Sequence, residues 1–253
     1  MHFYTRYGES AHDIVGANGK LRATTIRDAR KLGLVPSVST VKDLGCSMGL
    51  VQWMINLALD SALAHPYHPE EYTRDAWKEI VLKQYNKEKG MAAQRGTEIH
   101  DLLDQHLSNP KKKCNKDKEY IMPVLEWLHE NFHGVQWVSE KSFVHPTGFG
   151  GRVDLHSVTD NIVLDFKTKD KIELNDKMQY DDHKIQLSAY QEGLGLPAET
   201  KRYNLFVSVN ENTPGLCHLV EATEHDRYYE IFQAMLTLWK LRNKYDPAEM
   251  LNG

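Results

Sequence analysis

Cysteine is scarce in this chain and widely scattered: Cys46, Cys114 and Cys217 form no CxxC pair and no zinc-ligand spacing. An odd number of distant thiols argues against a disulfide-stapled secreted scaffold and for a reducing compartment. Long apolar runs are missing as well. No stretch approaches the roughly 20 residues that a membrane-spanning helix needs. The opening, MHFYTRYGES, has neither the basic start nor the apolar core of a secretory signal. A cytoplasmic protein with no membrane partner is the expectation. Basic charge is not in excess: 31 Lys and Arg against 35 Asp and Glu leave a formal net charge of −4. Phosphate neutralisation needs Lys and Arg, so a large non-specific nucleic-acid patch is not expected, although a local basic groove is compatible.

The 253 residues are 41% hydrophobic and 26% charged, ordinary for a chain that buries a core, and they contain no internal repeat. The first expected helix is Thr24–Lys31, closed by Gly33 at a position suited to a C-cap. After LVPSVST, where Ser39 or Thr40 can cap the next helix, the spacing of Leu44, Met48, Val51, Ile55 and Leu59 predicts a mostly buried helix over Val41–Leu63. A charged amphipathic helix is expected from Glu70 to Leu107, broken near Gly90. The lysine-rich SNPKKKCNKDKE reads as a solvated loop, and a short helix comes after it over Tyr120–Phe132. The period then changes. VQWVSEKSFVH, GFGGRVDLHSV and NIVLDFKTK read as strands, with Thr159–Asn161 turning the last two into a hairpin. A helix over Gln179–Leu194, the strands RYNLFVSVN and CHLVEA, and a helix over Glu224–Asn243 complete the order. This predicts an α/β (α+β) fold, a central mixed sheet flanked by helices, with a helical N-terminal segment.

The chemistry concentrates in GGRVDLHSVTDNIVLDFKTK. Asp165 and Lys167 lie two residues apart on one strand, so both side chains leave the same face. If the hairpin pairs the strands, Asp154 comes beside Asp165. Carboxylates brought together repel, and a hard divalent cation relieves the repulsion. The adjacent Lys167 can orient or help deprotonate a water and steady negative charge developing on a phosphate. Alone, a D-x-K triplet is more often an exposed pair of small worth. Here Ile162, Val163 and Leu164 carry the strand into a core, and the Gly-Gly before Arg152 permits close approach of another strand.

At these residues the chain resembles the PD-(D/E)XK nuclease superfamily, and within it the RecB-like, phage-type exonuclease branch. RGTEIH, GRVDL with LDFKTK, and QLSAY occur in that branch's order between Arg95 and Tyr190. Val153 stands where the superfamily name has proline. The resemblance implies a restriction-endonuclease-like core over residues 91–253, preceded by a helical part, 1–90, that walls the cleft, all in one nuclease domain. It implies that His100, Asp154 and Asp165 bind Mg2+ or Mn2+ together with the backbone carbonyl of Phe166. Lys167 would be the catalytic lysine, with Gln186 and Tyr190 lining the site to steady it or to touch DNA. Some members of the branch hold an iron–sulfur cluster on four cysteines, which three misplaced cysteines cannot supply, so none is expected.

The implied partner is DNA, contacted by Arg95 and Arg152 beside the motifs and by Ser37, Ser39 and Thr40 at a helix start; simple capping by those hydroxyls is an equal reading. Glu140, on the strand before the hairpin, either reaches the site or only pairs with Arg152. The implied activity is metal-dependent DNA exonuclease action in phage recombination, replication or repair, with a single-strand-annealing or replication protein as a further partner. The rivals are a structure-specific endonuclease and a catalytically inactive nucleic-acid-binding module of the same fold.

Overall fold

The computed structural model describes residues 1–45, 48–109 and 117–251. Cys46, Cys114 and Lys111, Lys112, Lys113 and Lys116 of the expected solvated loop lie outside the described residues. The N-terminal region is not purely helical. It holds the short strands β1 (Phe3–Tyr4), β2 (Asp13–Val15), β3 (Leu21–Ala23) and β4 (Val35–Pro36) around α1 (Ile26–Leu32), followed by α2 (Val38–Lys42) and α3 (Met48–Ala64). β1 pairs with β4 and β2 with β3, both antiparallel. Thr25 caps α1 in a reciprocal box: its hydroxyl accepts from Asp28 N, and the Asp28 carboxylate accepts from Thr25 N at 2.9 Å. Gly33 closes the same helix at φ 65, a left-handed conformation that glycine adopts without steric penalty.

α4 (Arg74–Ser108) is one continuous helix of 35 residues, about 50 Å long, where a break near Gly90 was expected. Strong helix formers on both sides of Gly90, from Lys87 to Ala93, outweigh the roughly 1 kcal/mol that glycine costs. The limit between residues 90 and 91 thus falls inside a single helix. α5 (Lys118–Asn131) comes next, then β5 (Val138–His145), β6 (Phe149–Ser157), β7 (Ile162–Lys169), α6 (Asp181–Gly193), β8 (Lys201–Ser208), β9 (Cys217–Glu221), α7 (His225–Asn243) and α8 (Pro247–Leu251).

The fold is a mixed α/β architecture around one five-stranded sheet ordered β5-β6-β7-β8-β9. β5, β6 and β7 form an antiparallel meander, β7 and β8 are parallel with α6 as the crossover between them, and β9 pairs antiparallel with β8. Each face has its own core. On one, α2, α6 and α7 bury Val41, Leu187, Phe232 and Trp239 with Phe149, Val153 and Val163 of the sheet. On the other, α4 and α5 bury Ile99, Leu103, Ile121 and Val124 against Leu155, Leu164, Phe166 and Leu205. The Gly-Gly pair ahead of Arg152 is needed for this packing: a Cβ at Gly151 would stand 2.6 Å from the Phe143 ring of β5.

The helix read over Val41–Leu63 is two helices, α2 and α3, and its stripe is only partly buried: Leu44 packs against the core and Val51 is half-buried, but the rest is exposed. Met48 is 74%, Ile55 47% and Leu59 57% exposed, because α3 packs chiefly along α4, which covers only one of its sides. Among the described residues no helix is long and apolar enough to cross a membrane.

Candidate active site

The site is built where β6 and β7 stop pairing. Their ladder ends at Leu155 opposite Leu164. One residue further, Asp154 reaches across with its side chain, whose Oδ2 accepts from Phe166 N at 2.7 Å. Asp165 and Lys167 leave β7 on one face, as strand alternation requires, and Lys167 Nζ lies 2.6 Å from Asp165 Oδ2. His100 comes from α4, its Nδ1 3.4 Å from Asp154 Oδ2 and its ring edge-on to Phe166.

α6 supplies the bracket behind the pair. Gln186 Nε2 donates to Asp165 Oδ1 at 3.1 Å and to the Tyr190 hydroxyl at 2.7 Å, while its Oε1 accepts from Lys167 Nζ at 3.1 Å. The amide thus reads the sign of both partners, giving hydrogen bonds to the carboxylate and taking one from the ammonium. Two further residues complete the network. Asn204, level with Asp165 in the parallel ladder, donates to Asp165 Oδ2 at 3.0 Å, and Gln179 Nε2 donates to Asn204 Oδ1 at 2.9 Å. Sequence reading missed both. The available signal was a lone amide in the apolar run of RYNLFVSV, since a fully buried polar group demands partners.

Charge is set by this packing. Burial raises the Asp165 carboxyl, with Lys167 pulling it down and the neighbouring Asp154 charge pushing it up. Burial works against the Lys167 ammonium too, but Asp165 and Asp154 more than offset it, so Lys167 sits above its ordinary value. Burial also opposes ionisation of Asp154, but His100, Lys167 and the Phe166 N–H hold it below the usual carboxylate range. His100 is raised in turn, the Asp154 charge overcoming burial. Burial and the two carboxylates push the Tyr190 hydroxyl well above its ordinary value, so it stays protonated.

Glu140 takes the second of the two readings, pairing with Arg152, while still feeling the charge of the site. It pairs with Arg152 Nε, and its carboxyl is pushed up to about 7 by burial, with Asp154 and Asp104 adding to the rise against the pull of Arg152 and His100. Its backbone is left-handed inside β5, at φ 51, a conformation costly for a residue with a Cβ. Arg152 leaves β6 two residues from Asp154 and is half-exposed. Arg95 is engaged elsewhere, 3.1 Å from Asp117 and stacked over the Tyr120 ring. Ser37 and Thr40 are buried: Ser37 Oγ caps α2 by accepting from Thr40 N at 3.0 Å, and Thr40 Oγ1 accepts from His2 N at 2.7 Å. Ser39 is partly open, with its Oγ 2.9 Å from Ser37 Oγ.

No protein-family model matches the chain, and no curated protein matches it. Among solved structures the chain is similar to one titled "Crystal structure of SSO0001", with 13% identity, 75% of this chain and 86% of that chain covered, and a TM-score of 0.35. A likeness of that size carries no functional argument.

Among the described residues, two aspartates and one imidazole are the side-chain donors gathered here for a cation, with the Phe166 backbone carbonyl beside them. Among the described residues no three His, Cys, Asp or Glu side chains close around a single ion position. Such closure is not what Mg2+ requires: it is commonly held by one or two carboxylates, with water and substrate oxygens completing the octahedron. Hard oxygen donors with one nitrogen suit Mg2+ or Mn2+ and disfavour soft ions. In kind, the donor set fits.

Proposed function

We propose that this chain is a metal-dependent DNA exonuclease with a PD-(D/E)XK core. The supporting observation is the juxtaposition of Asp154, Asp165 and Lys167 across two strands that cease pairing at that level, with Gln186 bonded to both members of the Asp165–Lys167 pair. A purely structural role accounts poorly for it. Taking two carboxylates and an ammonium out of water costs several kcal/mol, which their mutual attraction need not repay in full, and a site for a charged ligand gives that cost a use.

Each residue has a task in that chemistry. His100, Asp154, Asp165 and the Phe166 carbonyl would hold the cation. When bound, Mg2+ or Mn2+ supplies positive charge that polarises a phosphoryl oxygen and makes a water more acidic. Lys167, kept protonated by Asp165, donates a hydrogen bond and charge toward oxygens that become more negative as the phosphodiester is attacked. As an ammonium it orients a water and does not deprotonate it. Gln186 fixes the direction of that ammonium, and Tyr190 fixes Gln186. Half-exposed Arg152 faces incoming phosphate at the rim, held by Glu140. Arg95, Ser37 and Thr40 are spent on contacts within the protein, and the DNA contacts are assigned to Arg152 and the lysines of β7.

The deciding experiment incubates the protein with end-labelled linear and closed-circular DNA, single- and double-stranded, in Mg2+, Mn2+ or EDTA. Cation-dependent loss of linear DNA alone is the expected result. Cutting of closed circles would replace the exonuclease with an endonuclease. Binding without cleavage in any cation would withdraw the enzymatic reading.

A further inference from the structure

Among the described non-glycine residues at positive φ, Glu140 alone lies inside a strand; Asp117, Glu224 and Lys244 cap helices, and Asn161 sits in the turn between β6 and β7. The register around it shows what the distortion does. Ser139 faces Leu155 and Lys141 faces Val153, so Glu140 comes level with Asp154 across the β5–β6 ladder, yet the two do not pair. In regular strands, directly opposite residues hold their Cβ atoms about 5 Å apart, and like charges there repel. The left-handed backbone takes the Glu140 carboxylate out of that position and onto Arg152, its diagonal neighbour on β6.

Arg152 has a second carboxylate within reach. It leaves β6 on the same face as Asp154, two residues and about 7 Å along the strand, a span that an arginine side chain covers. Among the described residues its ion-pair partner is nonetheless Glu140. The charge of the guanidinium is felt by Tyr4 of β1 and by His12, whose ring packs against Tyr4, on the side of the site away from Asp165 and Lys167. Were the guanidinium to rest on Asp154, it would occupy carboxylate oxygens that a divalent cation needs. The rim would lose a charge that meets phosphate as well.

We propose that Glu140 is a positioning residue: by tethering Arg152 it keeps the guanidinium off Asp154, so that Asp154 stays open to a cation and Arg152 stays turned to DNA. The inference rests on the nuclease reading above, and it gives the strained backbone of Glu140 a use in assembling that site.

The test is a double-mutant cycle read by Mn2+-dependent melting of the intact chain, with DNA cleavage measured alongside. The variants are Glu140→Gly, Arg152→Ala and the two together. Glycine accepts a left-handed backbone without steric penalty, so Glu140→Gly relieves strain while removing the tether. It is expected to bind Mn2+ about tenfold more weakly than the parent, as loss of a residue that orients a metal site does. Arg152→Ala keeps the parent's Mn2+ affinity, because its guanidinium already stands off Asp154, and raises KM for DNA. The double variant recovers the parent's Mn2+ affinity, because the competitor is gone. Glu140→Gln, which keeps the side chain's volume and removes its charge, replaces Glu140→Gly if glycine loosens β5. A merely structural Glu140 gives a Glu140→Gly protein that melts higher and binds Mn2+ as the parent does, which overturns the tether. A plain charge effect gives additive changes, with Arg152→Ala binding Mn2+ more tightly than the parent, and overturns it too. In both cases cleavage by the parent leaves the nuclease reading standing. If the parent neither binds Mn2+ nor cleaves DNA in any cation, the nuclease reading falls and this inference falls with it.

Discussion

Lys167 Nζ and Asp165 Oδ2 are 2.6 Å apart on a single strand, and the lysine side chain is 22% and the aspartate side chain 3% exposed. Strand alternation alone puts the two on one face, and burial then makes each dependent on the other. Lys167→Met leaves Asp165 without its ammonium. Asp165 is already pushed upward by burial, so it takes up a proton and the fold persists at reduced stability. Cleavage of end-labelled DNA is expected to fall by about 100-fold or more. Parental activity in a folded Lys167→Met protein would remove Lys167 from the mechanism.

Gln186→Leu keeps the volume of the side chain and deletes its contacts to Lys167, Asp165 and Tyr190. Breaking buried hydrogen bonds of this kind costs about 1–3 kcal/mol, which in kcat corresponds to a loss of about 10- to 100-fold if Gln186 orients Lys167. A variant that loses thermal stability but keeps kcat would reduce Gln186 to a structural residue.

Cation binding can be read without activity. At free Mn2+ a hundred times above the dissociation constant, a protein that binds the ion only when folded gains about 2.7 kcal/mol of stability. The parent is expected to melt higher in Mn2+, and Asp154→Asn to melt at the same temperature with or without it. An identical Mn2+ shift in both would place the ion elsewhere.

His183 makes stability depend on acid. Burial, with Lys167, Lys169 and Lys42 around it, depresses its folded pKa to about 2. Unfolded, the imidazole takes a proton below about 6.5. Between those values the unfolded chain binds the extra proton, so the contribution is full above pH 6.5 and is lost as pH falls. The loss is expected at up to about 1.4 kcal/mol per pH unit. Urea melts at pH 7, 6, 5 and 4 should show a shallower acid decline in His183→Gln than in the parent. Parallel declines would mean that His183 is already charged in the fold.

Gly90 sits exposed inside α4, and a Cβ added there meets nothing within 4 Å. Gly90→Ala should therefore raise stability by about 0.5–1 kcal/mol, through backbone entropy and helix propensity alone. A neutral or destabilising result by chemical denaturation would show that α4 bends or opens at this point.

Much of the fold was legible because its signals are local. Gly33 closes α1 through backbone geometry within a few residues, as read, whereas the helix read from Thr24 starts at Ile26 behind its cap Thr25. The alternation of IVLDFKTK specifies which side chains share a face whatever the strand packs against. Where the reading failed, the missing information was non-local. The stripe Met48, Ile55 and Leu59 has the spacing of a buried face, yet spacing reports only that apolar residues align, and all three are left exposed. Gly90 is a weak breaker, and no local pattern says whether its neighbours outweigh it.

By itself, then, the sequence determined the order of the elements from α4 to α7, the alternation that puts Asp165 beside Lys167, and the helical turn that separates Gln186 from Tyr190. These come from periods of two and of 3.6 residues. Tertiary structure alone decided that Asn204 and Gln179 extend the network around Asp165, that Glu140 answers Arg152, and that Arg95 turns to Asp117 and Tyr120. Each of those contacts joins residues from different elements, most of them far apart along the chain. Which partner a buried or charged group finds depends on what the whole fold brings opposite it, and no window of sequence contains that.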